Sequence, residues 1–277
     1  MILEKRNKDI VIKDIKCLNI PLSVDCGQSF RWTVKEDGSV HGIVGNKVVD
    51  IFQSINEIIF KNTSEEDFNN IWKAYFDLER DYESICNTFD EKYLKMACEE
   101  FYGIRILKQD HWEALCSFII SQNNNIPRIK GIISRLCENF GEKINGEDFS
   151  FPSYEKIADL SLEELSVLRA GFRSKYILDA ANKLKNGEIS LSDIKNLPIE
   201  EARNELMKIK GGGAKVAECT LLYGFGRTEA FPVDVWVKRI VNELYPDGLP
   251  KCIKGNEGIA QQYLFHWRRN SKIFKDE

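Results

Sequence analysis

The sequence predicts an α+β protein, with an N-terminal antiparallel-sheet domain over residues 1–95 and an all-helical domain over 96–277. Three observations carry this. Residues 8–61 hold short apolar runs broken by turn signals, the texture of strands in a meander. Beyond residue 62, acceptor side chains followed three residues later by an acidic residue recur, the texture of helix starts. The 277 residues, 43% hydrophobic and 30% charged, have a globular composition and are enough for two cores.

Taken in order, Phe30–Val34 and Ser39–Val44 flank Glu36-Asp37-Gly38, a hairpin turn. Gly45-Asn46 makes a second turn before the run from Lys47 to Phe52, and Asn56–Phe60 closes the meander. Ser64 with Asp67, Asp110 with Glu113 and Ser161 with Glu164 open helices. Gly171 fits a helix stop, Asn186-Gly187 a turn and Pro198 a first helical position. No internal repeat or low-complexity segment interrupts the chain.

The net charge of −4 argues against a protein that coats nucleic acid nonspecifically. It leaves room for a local basic face or for helix N-termini that bind phosphate. Eight cysteines, at 17, 26, 86, 98, 116, 137, 219 and 252, form no C-x-x-C, zinc or iron–sulfur spacing, and read as free thiols of a reducing cytoplasm. The first residues carry no apolar signal core, and no run approaches the roughly 18 apolar residues of a membrane span. A soluble protein, cytoplasmic if the source is prokaryotic, is therefore expected.

The chemistry concentrates between residues 205 and 240. A helix runs to about Lys208; Gly211-Gly212-Gly213 then forces a tight turn, and a second helix begins at Ala214. Such a helix–hairpin–helix aims backbone N–H groups at a phosphate, although an ordinary helical turn without a ligand reads the same way. Lys215 lies at the start of the second helix. A helix N-terminus and partial burial disfavour ammonium, and a neutral amine there can attack an electrophilic carbon to form a Schiff base. A solvated surface lysine is the alternative. Asp234 follows the apolar lead-in Phe231-Pro232-Val233 and fits a helix N-cap. The same carboxylate, held beside Lys215, could stabilise positive charge developing on a sugar.

Gly211 through Cys219, with Pro232-Val233-Asp234 downstream, resembles the helix–hairpin–helix Gly/Pro-Asp superfamily of DNA glycosylases, and within it the 8-oxoguanine DNA glycosylases. The resemblance implies a sheet domain plus a helical domain with the active site in the cleft, excision of an oxidised base, and nicking at the abasic site. It also extends along the chain. Cys26 through Trp32 is similar to the family's G-Q-S-F-R-W stretch, which implies that the Gly27 carbonyl accepts the N7–H that distinguishes 8-oxoguanine from guanine; from the residues alone Gly27 is a plain turn. Ser121 through Ile129 resembles the triple-asparagine stretch, which implies that Asn123 fills the gap left by the flipped nucleotide and Arg128 contacts the orphaned cytosine; three amides are equally natural loop and cap formers. Gly171 through Tyr176 looks like the wedge, with Phe172 intercalating and Arg173 also reading cytosine; core packing is the plainer reading of Phe172. Ala260 through Phe265 resembles the pocket helix, where Gln261 reads the base's pairing edge and Phe265, four residues on and on the same face, stacks on it. Cys219, four beyond Lys215, stacks from the other side or is simply a buried small residue.

Two positions depart from the family pattern: Gly212, where many members carry a larger residue, and Trp236, where the well-known eukaryotic form has His. The resemblance further implies duplex DNA docking on Ile209 to Gly213, with Gly211 and Gly213 amides on phosphate. Carbonyls of Ile209 and Gly212 would hold a Na⁺, K⁺ or Ca²⁺ ion. No organic cofactor or catalytic metal is expected. The expected partner is double-stranded DNA containing 8-oxoguanine opposite cytosine, bound by a monomer without a membrane. Two rivals stay open. An alkylated-base glycosylase shares the fold, but Lys215 and Gly27 speak against it. A noncatalytic DNA-binding module would tolerate loss of Lys215 and Asp234.

Overall fold

Six strands form one antiparallel sheet in the computed structural model, which describes residues 1–274: β1 (Ile2–Arg6), β2 (Asp9–Lys13), β3 (Trp32–Val34), β4 (Val40–Val44), β5 (Lys47–Gln53) and β6 (Ile58–Phe60), in the order β1-β2-β6-β5-β4-β3. Both expected turns are present, with Gly38 and Gly45 at positive φ. β1 was not legible as a strand. It is a largely exposed edge whose order comes from pairing with β2 and from ion pairs such as Arg6 with Glu57, rather than from an apolar face.

The chain divides into two compact units that do not follow a single boundary near residue 95. One comprises Met1–Gly42, Val49–Lys108 and the described residues from Thr228 onward; the other comprises Ile43–Val48 and Gln109–Arg227. In the first unit the sheet buries Ile10, Ile12, Ile51 and Phe60, and the Phe60 ring meets Phe68 and Phe76 edge-on at 5.2 and 6.0 Å. Trp32 lies across Gly42, its cross-strand partner, where a Cβ would fall 2.1 Å from the ring. Its indole N–H donates to the Tyr75 hydroxyl at 2.7 Å. The C-terminal helix Glu257–Asn270 belongs here because its side chains are bonded to the N-terminal segment. Gln262 donates to the Cys26 carbonyl at 3.1 Å, Tyr263 to the Ile104 carbonyl at 3.1 Å, and the Trp267 indole to Glu100 at 2.9 Å. Each of these bonds joins residues more than 150 apart, a connection that texture along the chain does not reveal.

The second unit is helical around the helix His111–Ser121, which is buried on nearly every side and packs against Arg173–Lys185 and Ala214–Tyr223. The expected starts at Ser64, Asp110 and Ser161 are all real caps; Ser161 and Glu164 form the reciprocal pair, although the turn they open is a 3₁₀ helix, Glu164–Leu168. Three expectations need correction. Gly171 is not a helix stop: that 3₁₀ turn ends at Arg169, itself left-handed, and Gly171 turns the chain into the next helix. Pro198 is the N-cap rather than the first helical residue, because the following segment starts at Ile199. The helical part also holds a small hairpin, Lys143–Asn145 with Asp148–Phe149, too short for a periodic signal. Among the described residues no helix is long and apolar enough to cross a membrane.

Candidate active site

Lys215 is the second residue of the helix Ala214–Tyr223, and its side chain is half-buried. Its ammonium nitrogen donates to the Ser121 hydroxyl at 2.7 Å and lies 5.5 Å from the centre of the Phe118 ring. Among the described residues no carboxylate pairs with it. The solvated-surface alternative is thus not what the chain builds: the last turn of the helix His111–Ser121 holds the amine.

The three hairpin glycines differ in their reasons. Gly211 has φ +76°, and a Cβ on it would lie 2.3 Å from a ring carbon of Tyr176. Gly212 has no such φ, but its Cβ would fall 2.5 Å from the Leu206 carbonyl oxygen. Gly213 is the extended N-cap and has open space around it. The turn is closed by the Gly212 amide donating to the Ile209 carbonyl at 2.8 Å. It is fastened to the helix Arg173–Lys185 by Asp179, which accepts the Lys210 amide at 2.8 Å and the Lys183 amine at 2.9 Å. Burial alone would raise the Asp179 carboxyl, but these two donors outweigh it and hold it below the usual range.

In the same unit the three asparagines separate by role. Asn124 donates to the Ile120 carbonyl and accepts the Asn125 amide, while Asn125 caps the helix Ile126–Phe140 through the Arg128 amide. Both are the loop and cap formers that amides make best. Asn123 is exposed and left-handed at φ +46°. Arg128 is exposed in the first turn after it. Phe172 is 48% exposed, which rules out core packing, and meets Tyr176 edge-on at 5.6 Å.

Arg173 differs from the exposed reader that the resemblance suggests. It is 2% exposed, stacks on Phe172 at 4.5 Å, and spends its donors on carbonyls of Gln122, Asn123 and Ala170. Burial, and then the nearby Arg128 charge, lower its affinity for a proton. In this structure it braces the asparagine loop, and it must release those carbonyls before it can reach a base. Cys219 is buried on the same helix as Lys215.

The first unit carries the remaining candidates. Asp234 is the N-cap of the helix Val235–Leu244, accepting the Trp236 and Val237 amides at 3.0 and 2.9 Å. Both bonds fall on Oδ1, so the capping role does not consume the whole carboxylate. Trp236 is partly exposed with the Arg239 guanidinium 5.2 Å over its ring. Gly27 has φ +86° directly after the short helix Ile20–Asp25. Its loop is fixed by the fully buried Gln28, whose amide donates to the Ser23 and Arg105 carbonyls and accepts the Leu107 amide. Burial pushes the neighbouring Cys26 thiol up to about 12. Gln261 is buried and Phe265 half-buried on the helix Glu257–Asn270, with Arg269 5.1 Å over the Phe265 ring. The structure thus gathers Gly27, Asp234, Gln261 and Phe265 in one unit and Lys215, Cys219, Asn123, Arg128, Phe172, Arg173 and the hairpin in the other.

Sequence reasoning missed Ser121, Tyr176 and Asp179 as separate contributors. Each had been visible only as one letter of a motif or as an ordinary helical residue, and their partners lie 31 to 94 positions away.

Known proteins match this arrangement along nearly the whole chain. Residues 10–115 match the family model described as 8-oxoguanine DNA glycosylase, N-terminal domain, and residues 116–250 the one described as HhH-GPD superfamily base excision DNA repair protein. A crystal structure of the 8-oxoguanine glycosylase/lyase of Clostridium acetobutylicum, in complex with double-stranded DNA containing cytosine opposite 8-oxoguanine, is 37% identical with a TM-score of 0.91, covering 97% of this chain and 98% of that one. The N-glycosylase/DNA lyase of Saccharomyces cerevisiae is 32% identical over 254 residues, 80% of this chain and 67% of the yeast protein. The corresponding Arabidopsis thaliana protein is 30% identical over 248 residues, 83% of this chain and 67% of its own length. With its sheet, its hairpin and a buttressed lysine at the start of the second hairpin helix, the chain belongs to the 8-oxoguanine glycosylase/lyase family of base-excision-repair enzymes, within the helix–hairpin–helix Gly/Pro-Asp superfamily.

Proposed function

We propose that the protein excises 8-oxoguanine from duplex DNA, preferentially opposite cytosine, through a covalent lysine intermediate and then nicks the strand. The observation that carries this reading is the Lys215 amine, held at 2.7 Å by a neutral hydroxyl at the first turn of the second hairpin helix. Amides at Gly211 and Gly213 meet a phosphate, as suits a hairpin feeding a helix N-terminus. The lesion nucleotide leaves the stack, and Asn123 and Phe172, both exposed, take its place. Arg128 reads the cytosine left behind, and Arg173 joins it once it lets go of the Gln122 and Asn123 carbonyls.

The Gly27 carbonyl accepts the N7–H of the oxidised base, Gln261 reads its pairing edge, and Phe265 and Cys219 stack on its two faces. Lys215 Nζ bonds to C1′ as the C1′–N9 bond breaks; the electron pair leaves with the base, which takes up a proton. The Asp234 carboxylate stabilises the positive charge on the sugar as it forms. Ring opening gives the Schiff base. Loss of a C2′ proton then expels the 3′ phosphate by β-elimination, and water releases the lysine.

Carbonyls of Ile209 and Gly212 are donors of the kind a hard cation takes, and the Ile209 oxygen keeps one lone pair beyond its bond to the Gly212 amide. The reaction uses no organic cofactor and no metal-dependent step. We assign it to a monomer, cytoplasmic in a prokaryotic source.

The test is release of 8-oxoguanine from duplexes with each of the four opposing bases, with and without borohydride. Wild-type protein should be trapped on lesion DNA and Lys215→Gln should not, while retaining binding. Normal turnover by Lys215→Gln, or base release without any trapping, would overturn the mechanism.

A further inference from the structure

We propose that Ser121 is a positioning residue for the Lys215 nucleophile; this rests on the reading of Lys215 given above. Ser121 ends the helix His111–Ser121, and its hydroxyl donates back to the Phe118 carbonyl at 2.8 Å. That bond uses its only proton, so its oxygen meets Lys215 Nζ as an acceptor, at 2.7 Å. Phe118, three residues earlier and on the same helical face, presents its ring 5.5 Å from the same nitrogen. One helical turn therefore fixes the end of a flexible side chain from two sides.

The choice of partner matters chemically. A carboxylate would bind ammonium far better than amine and would oppose the proton loss that nucleophilic attack needs. A hydroxyl oxygen accepts an N–H from either form. Ser121 thus orients the nitrogen without committing it to the charged state, and the amine's lone pair stays available for C1′. No proton or bond is exchanged with the serine. Its contribution is the orientation of a group that otherwise samples many rotamers.

The experiment compares full-length wild type, Ser121→Ala and Ser121→Thr. It measures single-turnover base release from an 8-oxoguanine·cytosine duplex, borohydride trapping on the same duplex, and affinity for a tetrahydrofuran abasic-site duplex. Ser121→Ala should slow base release and trapping about tenfold or more, the usual effect of losing a hydrogen bond to a charged or reacting group, with affinity within about twofold. Ser121→Thr keeps the hydroxyl and should restore the rate to within about threefold. A wild-type rate in Ser121→Ala would overturn the proposal, as would equal slowing by Thr, which would make the effect one of packing rather than of the hydroxyl. If wild-type protein itself neither released the base nor was trapped, the mechanism beneath the proposal would fall, and this proposal with it.

Discussion

Replacing Gly211 by Ala tests whether the hairpin is as tightly specified as its geometry implies. The new side chain meets two separable penalties. At φ +76° an L residue costs roughly 1–2 kcal/mol. Its Cβ also falls 2.3 Å from the Tyr176 ring, and displacing a ring that is packed edge-on against Phe172 adds about 1–3 kcal/mol of overpacking. The total is about 2–5 kcal/mol. Only the second part depends on the ring, so Gly211→Ala combined with Tyr176→Ala should be less destabilised than the sum of the singles by about 1–3 kcal/mol. Gly213→Ala is the internal control. Its backbone is extended and nothing lies within 4 Å, so only a modest capping loss, under about 1 kcal/mol, is expected. Urea denaturation gives the stabilities, and titration with an abasic-site duplex shows whether the hairpin still meets phosphate. Equal costs at 211 and 213, or strict additivity with Tyr176, would refute the account of the turn.

Asp179→Asn should weaken binding to any duplex, damaged or not, because it loosens the Lys210 amide and leaves Lys183 without its carboxylate; a loss confined to lesion DNA, measured by paired titrations, would show that Asp179 does not act through the hairpin. Phe265→Ala should cost more affinity for lesion than for undamaged duplex, and equal losses would make the ring merely structural. Acid should destabilise the fold through His266, which is buried against the Phe101 ring and beside Asn270. Burial, and then the Arg269 charge, carry it from 6.5 down to about 4, against the opposing pull of Asp25 and Glu100. Because the unfolded chain binds the proton more readily, this stability is complete above about pH 6.5 and is lost as pH falls toward 4, roughly 3 kcal/mol in all. Melts across that window should show wild type losing stability relative to His266→Phe as pH falls, and parallel curves would exclude His266.

What the sequence revealed and what it withheld follow from the range of the interactions. Ser64, Asp110, Ser161 and Asp234 announced themselves because a cap is made within three residues. The hairpin was legible from its glycines, yet all three had been given one cause, positive φ, which holds only for Gly211. Gly212 is demanded by the Leu206 and Ile209 carbonyls and Gly213 by neither constraint. Residues alone left Gly27 a plain turn; only resemblance singled it out, since a carbonyl's target is not written in its neighbours. The burial of Arg173 and the Ser121–Lys215 bond were out of reach because they join segments about 50 and 94 residues apart. The division near residue 95 followed texture, whereas compactness follows bonds such as Gln262 to Cys26, 236 residues apart.

That last connection dictates an order of assembly on the ribosome. The sheet's unit needs side chains from Thr228 onward, whereas the helices between Gln109 and Arg227 are all made before those emerge. Synthesis of the intervening segment takes on the order of ten seconds. For that interval the apolar face of Lys92–Glu100, later covered by the Glu257–Asn270 helix, has no lid. The helical unit can therefore mature before the sheet's unit is complete, whose N-terminal part meanwhile exposes apolar surface on the nascent chain.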